Sequence, residues 1–275
     1  MKLTVLVENT PGRGAQGAHG LSLYIQTAKH TILFDAGPRG ELLLANAAAL
    51  GIDLAAVDIA VLSHAHYDHA GGLLAFLDVN PSARVYLRQG AFCGHFATEN
   101  VGWRDIGPDG ALLERFAERL VFTPERFTID DELELFADIA TADYLSAAGG
   151  DLYEKQGEDY CRDPFRHEQN LLIHEAGRHV LIGGCAHRGA VNILRRCEDI
   201  LGQAPAALVS GFHLTNPGKG IDEPSELVQA VGAELLARPT RYYTGHCTGQ
   251  GPFALLKAQL GEQLQALSTG AVFDI

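Results

Sequence analysis

The sequence predicts an α/β protein in which two groups of strands are each followed by helices. The first group opens with a hairpin of residues 21–27 and 31–35, and the second opens with a hairpin of residues 170–175 and 179–183. After each hairpin, short apolar runs alternate with segments of helical spacing, which favours sheets covered by helices. Hydrophobic residues make up 47% and charged residues 20% of the 275 positions, a balance typical of a globular protein with a sizeable core.

Each element after the two hairpins has a local signal. In the first group, Gly51 ends a helix over 41–50, and a β-branched run at 57–63 predicts a buried strand. Helical spacing resumes at 70–77, and 85–88 predicts another strand. The second group comprises a helix at 191–201, a strand at 207–210, a helix at 225–236, a strand at 241–244 and a helix from Phe253.

The middle of the chain is less regular. Residues 90–168 hold glycine-rich and proline-rich clusters among aromatic and basic side chains. At about 150 residues per domain, the length allows one large domain or two small ones. We expect a single domain, 1–275, with an elaborated segment facing the substrate at about 90–168.

Charge and cysteine content exclude several classes of protein. The net charge is −13, which disfavours phosphate backbones and anionic membrane surfaces as partners. The apolar run after Lys2 is ended by Glu8, too early for a signal-peptide core. Five cysteines without a CxxC pair predict reduced thiols, and we expect a cytoplasmic protein.

The strongest functional signal is the run His64-Ala-His66-Tyr-Asp68-His69, directly after a predicted strand. Side chains alternate along extended chain, so His64 and His66 project to the same side. Asp68 and His69 follow one turn later and can reach a second cation. Imidazole suits zinc, iron and nickel, and the carboxylate extends the range to manganese. The alternative interpretation is a solvated histidine-rich loop.

This run, followed by Gly71-Gly72-Leu73, resembles the metallo-β-lactamase superfamily. The resemblance implies an α/β metallo-β-lactamase αββα sandwich, two mixed β-sheets flanked by helices, with a dinuclear metal site at the sheet edges. It also implies that Asp35, in Leu-Phe-Asp-Ala-Gly, braces the metal loop by hydrogen bonding; the alternative is an aspartate that merely ends the hairpin.

Later segments resemble one branch of that superfamily, which contains the archaeal dihydropterin–ribofuranosylaminobenzene-phosphate synthase and bacterial relatives described as metal-dependent hydrolases. The matching segments are Gly-Gly-Cys185-Ala-His187-Arg-Gly, Gly-Phe-His213-Leu, Tyr-Thr-Gly-His246-Cys-Thr-Gly and His167-Glu-Gln-Asn-Leu. The resemblance implies that His246 is the last metal ligand and His187 the remaining one.

The sequence departs from the superfamily pattern at one ligand. Where a bridging aspartate usually follows the second hairpin, this chain has Cys185. The Cys185 thiolate could bridge two soft metals. Alternatively, His187 could turn into the site as a ligand, and the two metals would then have no bridging residue. Alignment by spacing also allows His167 as a ligand, with His187 serving the substrate. The expected cofactor is therefore one or two divalent ions, with zinc first and manganese, iron or nickel as alternatives.

The chemistry implied first is hydrolysis of a small ester or phosphoester by a metal-bound hydroxide. Asp68 would orient the water as well as bind metal, and His213 would carry a proton unless it is a surface-loop histidine. Motifs for a serine nucleophile, a phosphate loop and a dinucleotide fold are absent from the sequence. The alternative from the resemblance is a synthase-like transferase that forms a C–N bond with loss of diphosphate.

The middle segment offers candidate substrate contacts. Lys155, Arg162 and Arg166 could hold a phosphate, while Trp103 and Tyr160 could stack on a flat heterocycle. The alternative is that these are surface residues of an irregular insert. We expect a small-molecule substrate, phosphorylated or pterin-like, no nucleic-acid or membrane partner, and a sheet edge suited to a homodimer.

Other functions rank lower. A non-catalytic metal sensor would bind metal without turnover. A diiron redox protein usually replaces one histidine of the first motif by a carboxylate, and the acidic charge argues against a nuclease.

Five further histidines have no motif around them: His19, His30, His95, His174 and His179. We expect structural or surface roles for them, with substrate contact an alternative for His95.

Overall fold

The computed structural model describes residues 1–98, 102–216 and 218–275, which form two units. The first unit contains Met1–Pro124, Asp151–Gln169 and Ser268–Ile275, and the second contains Glu125–Gly150 and Asn170–Leu267. Each unit is therefore assembled from separate stretches of the chain.

The strands in chain order are β1 (Lys2–Val7), β2 (Ser22–Gln26), β3 (Thr31–Phe34), β4 (Ile59–Val61), β5 (Arg84–Arg88), β6 (His95–Thr98), β7 (Trp103–Asp105), β8 (Leu120–Thr123), β9 (Arg126–Thr128), β10 (Leu133–Phe136), β11 (Leu152–Gln156), β12 (Asp159–Arg162), β13 (Asn170–Glu175), β14 (Arg178–Ile182), β15 (Ala207–Val209), β16 (Thr215–Asn216), β17 (Ile221–Asp222), β18 (Arg241–Thr244), β19 (Leu264–Ala266) and β20 (Val272–Asp274). The α-helices are α1 (Gly40–Ala49), α2 (Tyr67–Ala70), α3 (Leu73–Val79), α4 (Ala111–Phe116), α5 (Ala190–Leu201), α6 (Ser225–Leu236) and α7 (Gln250–Leu260).

The first unit is built on a seven-stranded mixed sheet in the order β20-β1-β2-β3-β4-β5-β8. The pairs from β20 to β3 are antiparallel, and those from β3 to β8 are parallel. Its core joins apolar side chains of the strands to α1 and α3, with Leu43, Phe76 and Val85 fully buried. Gly51, at a φ of +68°, takes the left-handed conformation that follows α1.

The second unit repeats this succession of strand directions. Its seven-stranded sheet has the order β9-β10-β13-β14-β15-β18-β19, antiparallel as far as β14 and parallel from β14 onwards. Helices α5, α6 and α7 contribute to its core, which includes Leu194, Val228 and Leu256. In α5, every residue from Ala190 to Leu194 is buried along with Cys197, so the first turn of this helix is buried on all sides.

A smaller antiparallel sheet, in the order β12-β11-β6-β7, belongs to the first unit. The predicted irregular segment 90–168 thus supplies regular structure to three sheets, since β8 joins the first large sheet and β9 and β10 join the second. These strands have only three or four residues each, too few for a reliable periodic signal.

The structure confirms both hairpins and the predicted order of strands and helices. Helix α6 and strand β18 have the predicted bounds, whereas α7 begins three residues earlier than Phe253. Among the described residues, no helix has the length and apolar composition needed to cross a bilayer. The single domain and the cytoplasmic location stay predictions.

Candidate functional site

The histidine motif of the first unit follows the carboxyl end of β4. His64 and His66 lie in the turn after this strand, and Asp68 and His69 lie in the short helix α2. All four side chains are buried. The rings of His64 and His66 are 4.6 Å apart between centroids, and those of His64 and His69 are 4.1 Å apart. The structure therefore brings the predicted first-motif ligands together.

Asp35 holds two parts of this motif. Its Oδ1 accepts a 2.7 Å hydrogen bond from the Ser63 amide, and its Oδ2 accepts one of 2.7 Å from the Ser63 hydroxyl. Nδ1 of His69 lies 2.6 Å from the same Oδ2. Asp35 has a φ of +59°, a strained conformation for a residue other than glycine, and such strain is concentrated at functional sites.

These hydrogen bonds orient two imidazoles for metal binding. Nδ1 of a neutral His69 donates to Asp35, which leaves the lone pair on Nε2. The Ser63 hydroxyl, already a donor to Asp35, accepts from Nδ1 of His64 at 2.9 Å, so Nε2 of His64 also carries a lone pair. A histidine ligand typically has its other ring nitrogen held in this way.

Asp68 lies between two histidines. Its Oδ2 is 3.7 Å from Nε2 of His69, a spacing at which one cation with bonds of about 2.1 Å reaches both atoms. Nε2 of His19 is 3.2 Å from the same oxygen. The contact with His19 was not expected from the sequence, because no motif surrounds that residue.

His167 supports the motif through hydrogen bonds. Its Nδ1 accepts from the amide of Ala65 at 3.0 Å, and its Nε2 is 3.0 Å from Oδ2 of Asp163. Nδ1 of His95 lies 3.2 Å from that same carboxylate oxygen. His66, Asp163 and His167 do present ligand atoms within 4.8 Å of one another. Because both ring nitrogens of His167 are engaged, the geometry favours a bracing role for it.

Burial controls the protonation of this group. Desolvation, reinforced by His167, holds the pKa of His66 well below its ordinary value, so its imidazole is neutral at neutral pH. Burial acts against ionisation of Asp163, yet the hydrogen bonds from His167 and His95 hold its pKa well below the ordinary value. A neutral imidazole is the form that binds metal.

In the second unit, the predicted residues lie after three parallel strands. Cys185 and His187 follow β14, His213 follows β15, and His246 follows β18, with Cys247 directly after it. Side chains at the carboxyl ends of neighbouring parallel strands meet at one sheet edge. Ligand atoms of Cys185, His213 and Cys247 lie within 4.8 Å of one another, and the His187 and His213 rings are 4.1 Å apart.

The three loops are strained and tied together. Ala186, His213 and His246 have φ values of +56°, +48° and +50°, an unusual concentration of left-handed residues that are not glycine. The amide of Gly211 donates to the carbonyl of Gly184 at 2.7 Å, and the amide of Leu214 donates to the carbonyl of Cys247 at 3.0 Å, so hydrogen bonds join all three loops. Such strain persists only where the surrounding structure over-determines it.

The buried thiols of Cys247 and Cys197 differ in their electrostatic surroundings. Burial raises the pKa of Cys247, yet the Cys185 thiol and the imidazoles of His213 and His246 together hold it well below the ordinary value. Burial raises the pKa of Cys197, in α5, to about 12. The surroundings of Cys247 therefore favour its thiolate, whereas burial in the core disfavours the thiolate of Cys197.

Both donor sets fit a divalent cation. The first unit offers oriented imidazoles and a carboxylate, and the second offers imidazoles and two thiols. Nitrogen, oxygen and sulfur donors of these types bind zinc and other divalent transition metals. The assignment of individual ligands stays a prediction.

The predicted substrate contacts lie on and beside the small sheet. The rings of Trp103 and Tyr160 stack at 4.1 Å with an interplanar angle of 5°. Lys155 lies over the Tyr160 ring at 6.0 Å, and Arg162 lies over the Tyr153 ring at 5.1 Å. Arg166 is instead paired with Glu154 at 2.7 Å. Four of the five predicted residues thus form one aromatic and basic surface.

Sequence reasoning missed several members of these networks. Asp163 stands four residues before His167, and Cys247 directly follows His246, so proximity to a motif was the available signal for both. His95 was expected to be structural or to contact substrate, and the structure places it against Asp163. Ser63 directly precedes His64, and this position next to the motif was the available signal for it.

Comparisons with known proteins agree with the first motif. Residues 16–144 match the sequence profile of the metallo-beta-lactamase superfamily. The 7,8-dihydropterin-6-methyl-4-(beta-D-ribofuranosyl)-aminobenzene-5'-phosphate synthase of Methanocaldococcus jannaschii is 26% identical over 291 residues, covering 99% of this chain and 96% of the relative.

Solved structures give the same fold. Tm1679, described as a metal-dependent hydrolase of the beta-lactamase superfamily, matches with a TM-score of 0.84 and 25% identity, covering 100% of this chain and 99% of that chain. Zinc-bound PqqB from Methylobacterium extorquens matches with a TM-score of 0.58 and 11% identity, covering 100% of both chains. The second likeness is one of fold alone.

Proposed function

Because this chain carries a metallo-β-lactamase domain and has the metallo-β-lactamase fold, we propose that it is a metal-dependent hydrolase acting on a small ester or phosphoester. The observation that carries the proposal is the buried cluster of His64, His66, Asp68 and His69, with Asp68 Oδ2 only 3.7 Å from His69 Nε2. Zinc is the proposed metal, because imidazole and carboxylate donors suit it.

The chain's own residues perform defined tasks in this proposal. When bound, a divalent cation polarises a substrate oxygen and lowers the pKa of a water molecule. Asp35 and Ser63 hold the imidazoles of His69 and His64 with Nε2 available for a ligand bond. Asp68 combines metal binding with orientation of the attacking water. His187 and His246 are proposed ligands, and His213 a proposed proton carrier, in the second unit.

The middle segment supports a role in substrate recognition. Phe165 has a φ of +53° and its ring lies 6.4 Å from that of His66, so the end of this segment adjoins the motif. Gln169 anchors the end of this segment, because its side-chain amide donates to the carbonyls of Leu62 and Tyr86. We propose that a small molecule, phosphorylated or heterocyclic, contacts this segment.

A second candidate is a transferase that joins an activated dihydropterin to an aromatic amine. It is supported by the synthase relative, which matches along 99% of this chain, and by the stacked pair Trp103 and Tyr160 with Lys155 nearby. An aromatic platform beside a cation suits a flat heterocycle that carries phosphate. In this reaction the amine nitrogen would bond to the pterin methylene carbon, the bond from that carbon to the diphosphate oxygen would break with its electron pair leaving on diphosphate, and the amine would release one proton to solvent.

Product analysis by mass spectrometry separates the two candidates. Zinc-loaded protein is offered a panel of phosphodiesters, thioesters and lactones, and separately a dihydropterin diphosphate with a ribosylated aminobenzene phosphate. Hydrolysis products alone support the hydrolase, and a coupled pterin–amine product supports the transferase. Metal binding without turnover of either set contradicts both and favours a sensor.

Variants link the activity to the proposed ligands. His66→Ala and Asp68→Asn are expected to remove turnover while the far-UV circular dichroism stays unchanged. The pair His30 and Asp58 provides matched controls, because its members are joined at 2.8 Å outside the motif. His30→Ala and Asp58→Asn should retain activity. Full turnover with normal metal content in His66→Ala would contradict the site.

A further inference from the structure

We propose that Cys185, His213 and Cys247 form a binding site for a thiophilic divalent cation such as zinc. The site lies in the second unit beside His187 and His246, and only its physiological role rests on the function proposed above. It assigns Cys247 and His213 as metal ligands, which the resemblance does not, and in this site His213 binds the cation in place of the proton-carrying role proposed above.

The first support is geometric. A sulfur of each cysteine and a ring nitrogen of His213 lie within 4.8 Å of one another. With zinc–sulfur bonds of about 2.3 Å and zinc–nitrogen bonds of about 2.0 Å, atoms at such separations can share one cation after small side-chain movements. The three residues come from three different loops, so their convergence is a property of the fold.

The second support is the state of His213. This side chain is 8% exposed, and neither ring nitrogen has a hydrogen-bond partner within the described part of the chain. Buried polar groups in native proteins are almost always satisfied by protein, water or an ion. A cation held by the two neighbouring sulfurs would satisfy one nitrogen of this imidazole.

The third support is the space reserved for the Cys247 sulfur. A Cβ atom on Gly211 would lie 2.5 Å from Sγ of Cys247, so only glycine admits the thiol at this place. The sulfur is also directed by its contact with the carbonyl of Cys185 at 3.6 Å. The loop is therefore shaped around this thiol, as expected for a functional group.

Cobalt(II) is the probe for the test, because a thiolate bound to cobalt gives a charge-transfer absorption in the near ultraviolet. Chelator-treated full-length protein is titrated with cobalt(II), and zinc content is measured separately by mass spectrometry. The wild type is expected to show the thiolate band. Cys247→Ser, the decisive variant because Cys185 alone is already a candidate ligand, should lose much of the band and bind cobalt at least about tenfold more weakly.

Two other cysteines supply controls. Cys197→Ala removes a buried thiol in α5, and Cys93→Ser removes an exposed one. Both should retain the wild-type band. The proposal is overturned if the wild type gives no thiolate band, or if Cys247→Ser keeps the full band and affinity.

Labelling of the wild type provides a test that needs no substitution and covers a variant that fails to fold. Zinc should slow the reaction of N-ethylmaleimide with Cys185 and Cys247 and leave that of Cys93 and Cys161 unchanged. Equal rates with and without zinc contradict the site. These measurements do not depend on turnover. If the wild type shows the cobalt–thiolate band but has neither hydrolase nor transferase activity, the proposed function is refuted and the metal site is not.

Discussion

Oδ2 of Asp35 lies 2.6 Å from Nδ1 of His69, and both side chains are completely buried. The same oxygen accepts from the hydroxyl of Ser63, which in turn contacts His64. One carboxylate thus determines which nitrogen of two imidazoles is available to a metal. A change at Asp35 should act on metal binding without touching a metal ligand.

Asp35→Asn is expected to weaken zinc binding by about 10- to 100-fold, the range typical for loss of a hydrogen-bonding partner of a histidine ligand. The asparagine amide would face the donors of Ser63 and His69, forcing His69 towards the tautomer with its proton on Nε2. Competition with a chromogenic chelator measures the affinity. Asp58→Asn, which alters the exposed pair with His30, is the control. Equal zinc affinities for the two variants would refute the bracing role.

Asp163→Ala is expected to lower the free energy of unfolding by about 1 to 3 kcal/mol. The change leaves His95 and His167 without their shared acceptor, and His167 holds the Ala65 amide between two predicted ligands. Urea denaturation measures the effect. Asp159→Ala, an exposed change on β12 of the same segment, should be nearly neutral. Equal stability of the two variants would exclude the proposed bracing.

Trp103 is the only tryptophan of the chain and lies on the surface formed with Tyr160. If a heterocyclic substrate contacts this surface, titration with it should change the intrinsic fluorescence. Trp103→Phe should raise KM by about 2- to 10-fold with little change in kcat, in line with about 0.5–1.5 kcal/mol for an aromatic pair. Unchanged KM together with unchanged fluorescence would remove the surface from substrate binding.

Tyr242 predicts a dependence of stability on alkaline pH. Burial raises its pKa to about 12, and its hydroxyl donates to the carbonyl of Leu235 at 2.7 Å. The unfolded chain releases this proton near pH 10, so stability is fully present below that pH and falls by about 2–3 kcal/mol as the pH rises to about 12.

Tyr242→Phe should flatten this fall, while the lost hydrogen bond costs about 1 kcal/mol near neutral pH. Urea midpoints measured at several alkaline pH values provide the comparison, with Tyr160→Phe as control. Cys197, whose pKa burial also raises to about 12, contributes in the same direction in every variant. If the urea midpoint of Tyr242→Phe falls with pH as steeply as that of the wild type, groups other than Tyr242 cause the alkaline loss of stability.

The sequence predicts the fold well where elements are long or carry end signals. Helix α6 has the predicted bounds because its spacing is regular over 12 residues. Strands β8, β9 and β10 were missed because each has three or four residues, too few to show a period. β8 and β10 take their places by pairing with strands distant in sequence, β5 and β13. Such pairing is tertiary information, absent from any local window.

Some residues of the candidate site could be recognised in the sequence, and others could be recognised only in the structure. His64, His66, Asp68 and His69 are recognisable because their spacing alone carries chemistry. Asp163 and Cys247 have ordinary local surroundings, and their significance arises from loops that fold next to one another. The spacing of the sequence allowed His167 as a ligand, and only its two hydrogen bonds in the structure favour a supporting role instead.

The pairing of β20 with β1 bears on how this chain folds during synthesis. The first unit needs Asp151–Gln169 and Ser268–Ile275 in addition to its amino-terminal stretch. Its sheet therefore cannot gain β20 until residues 272–274 have left the ribosome, and contacts so distant in sequence form slowly. Meanwhile β1 has an unpaired edge, the kind of surface on which nascent chains aggregate. Chaperone depletion should accordingly reduce the soluble yield of this protein.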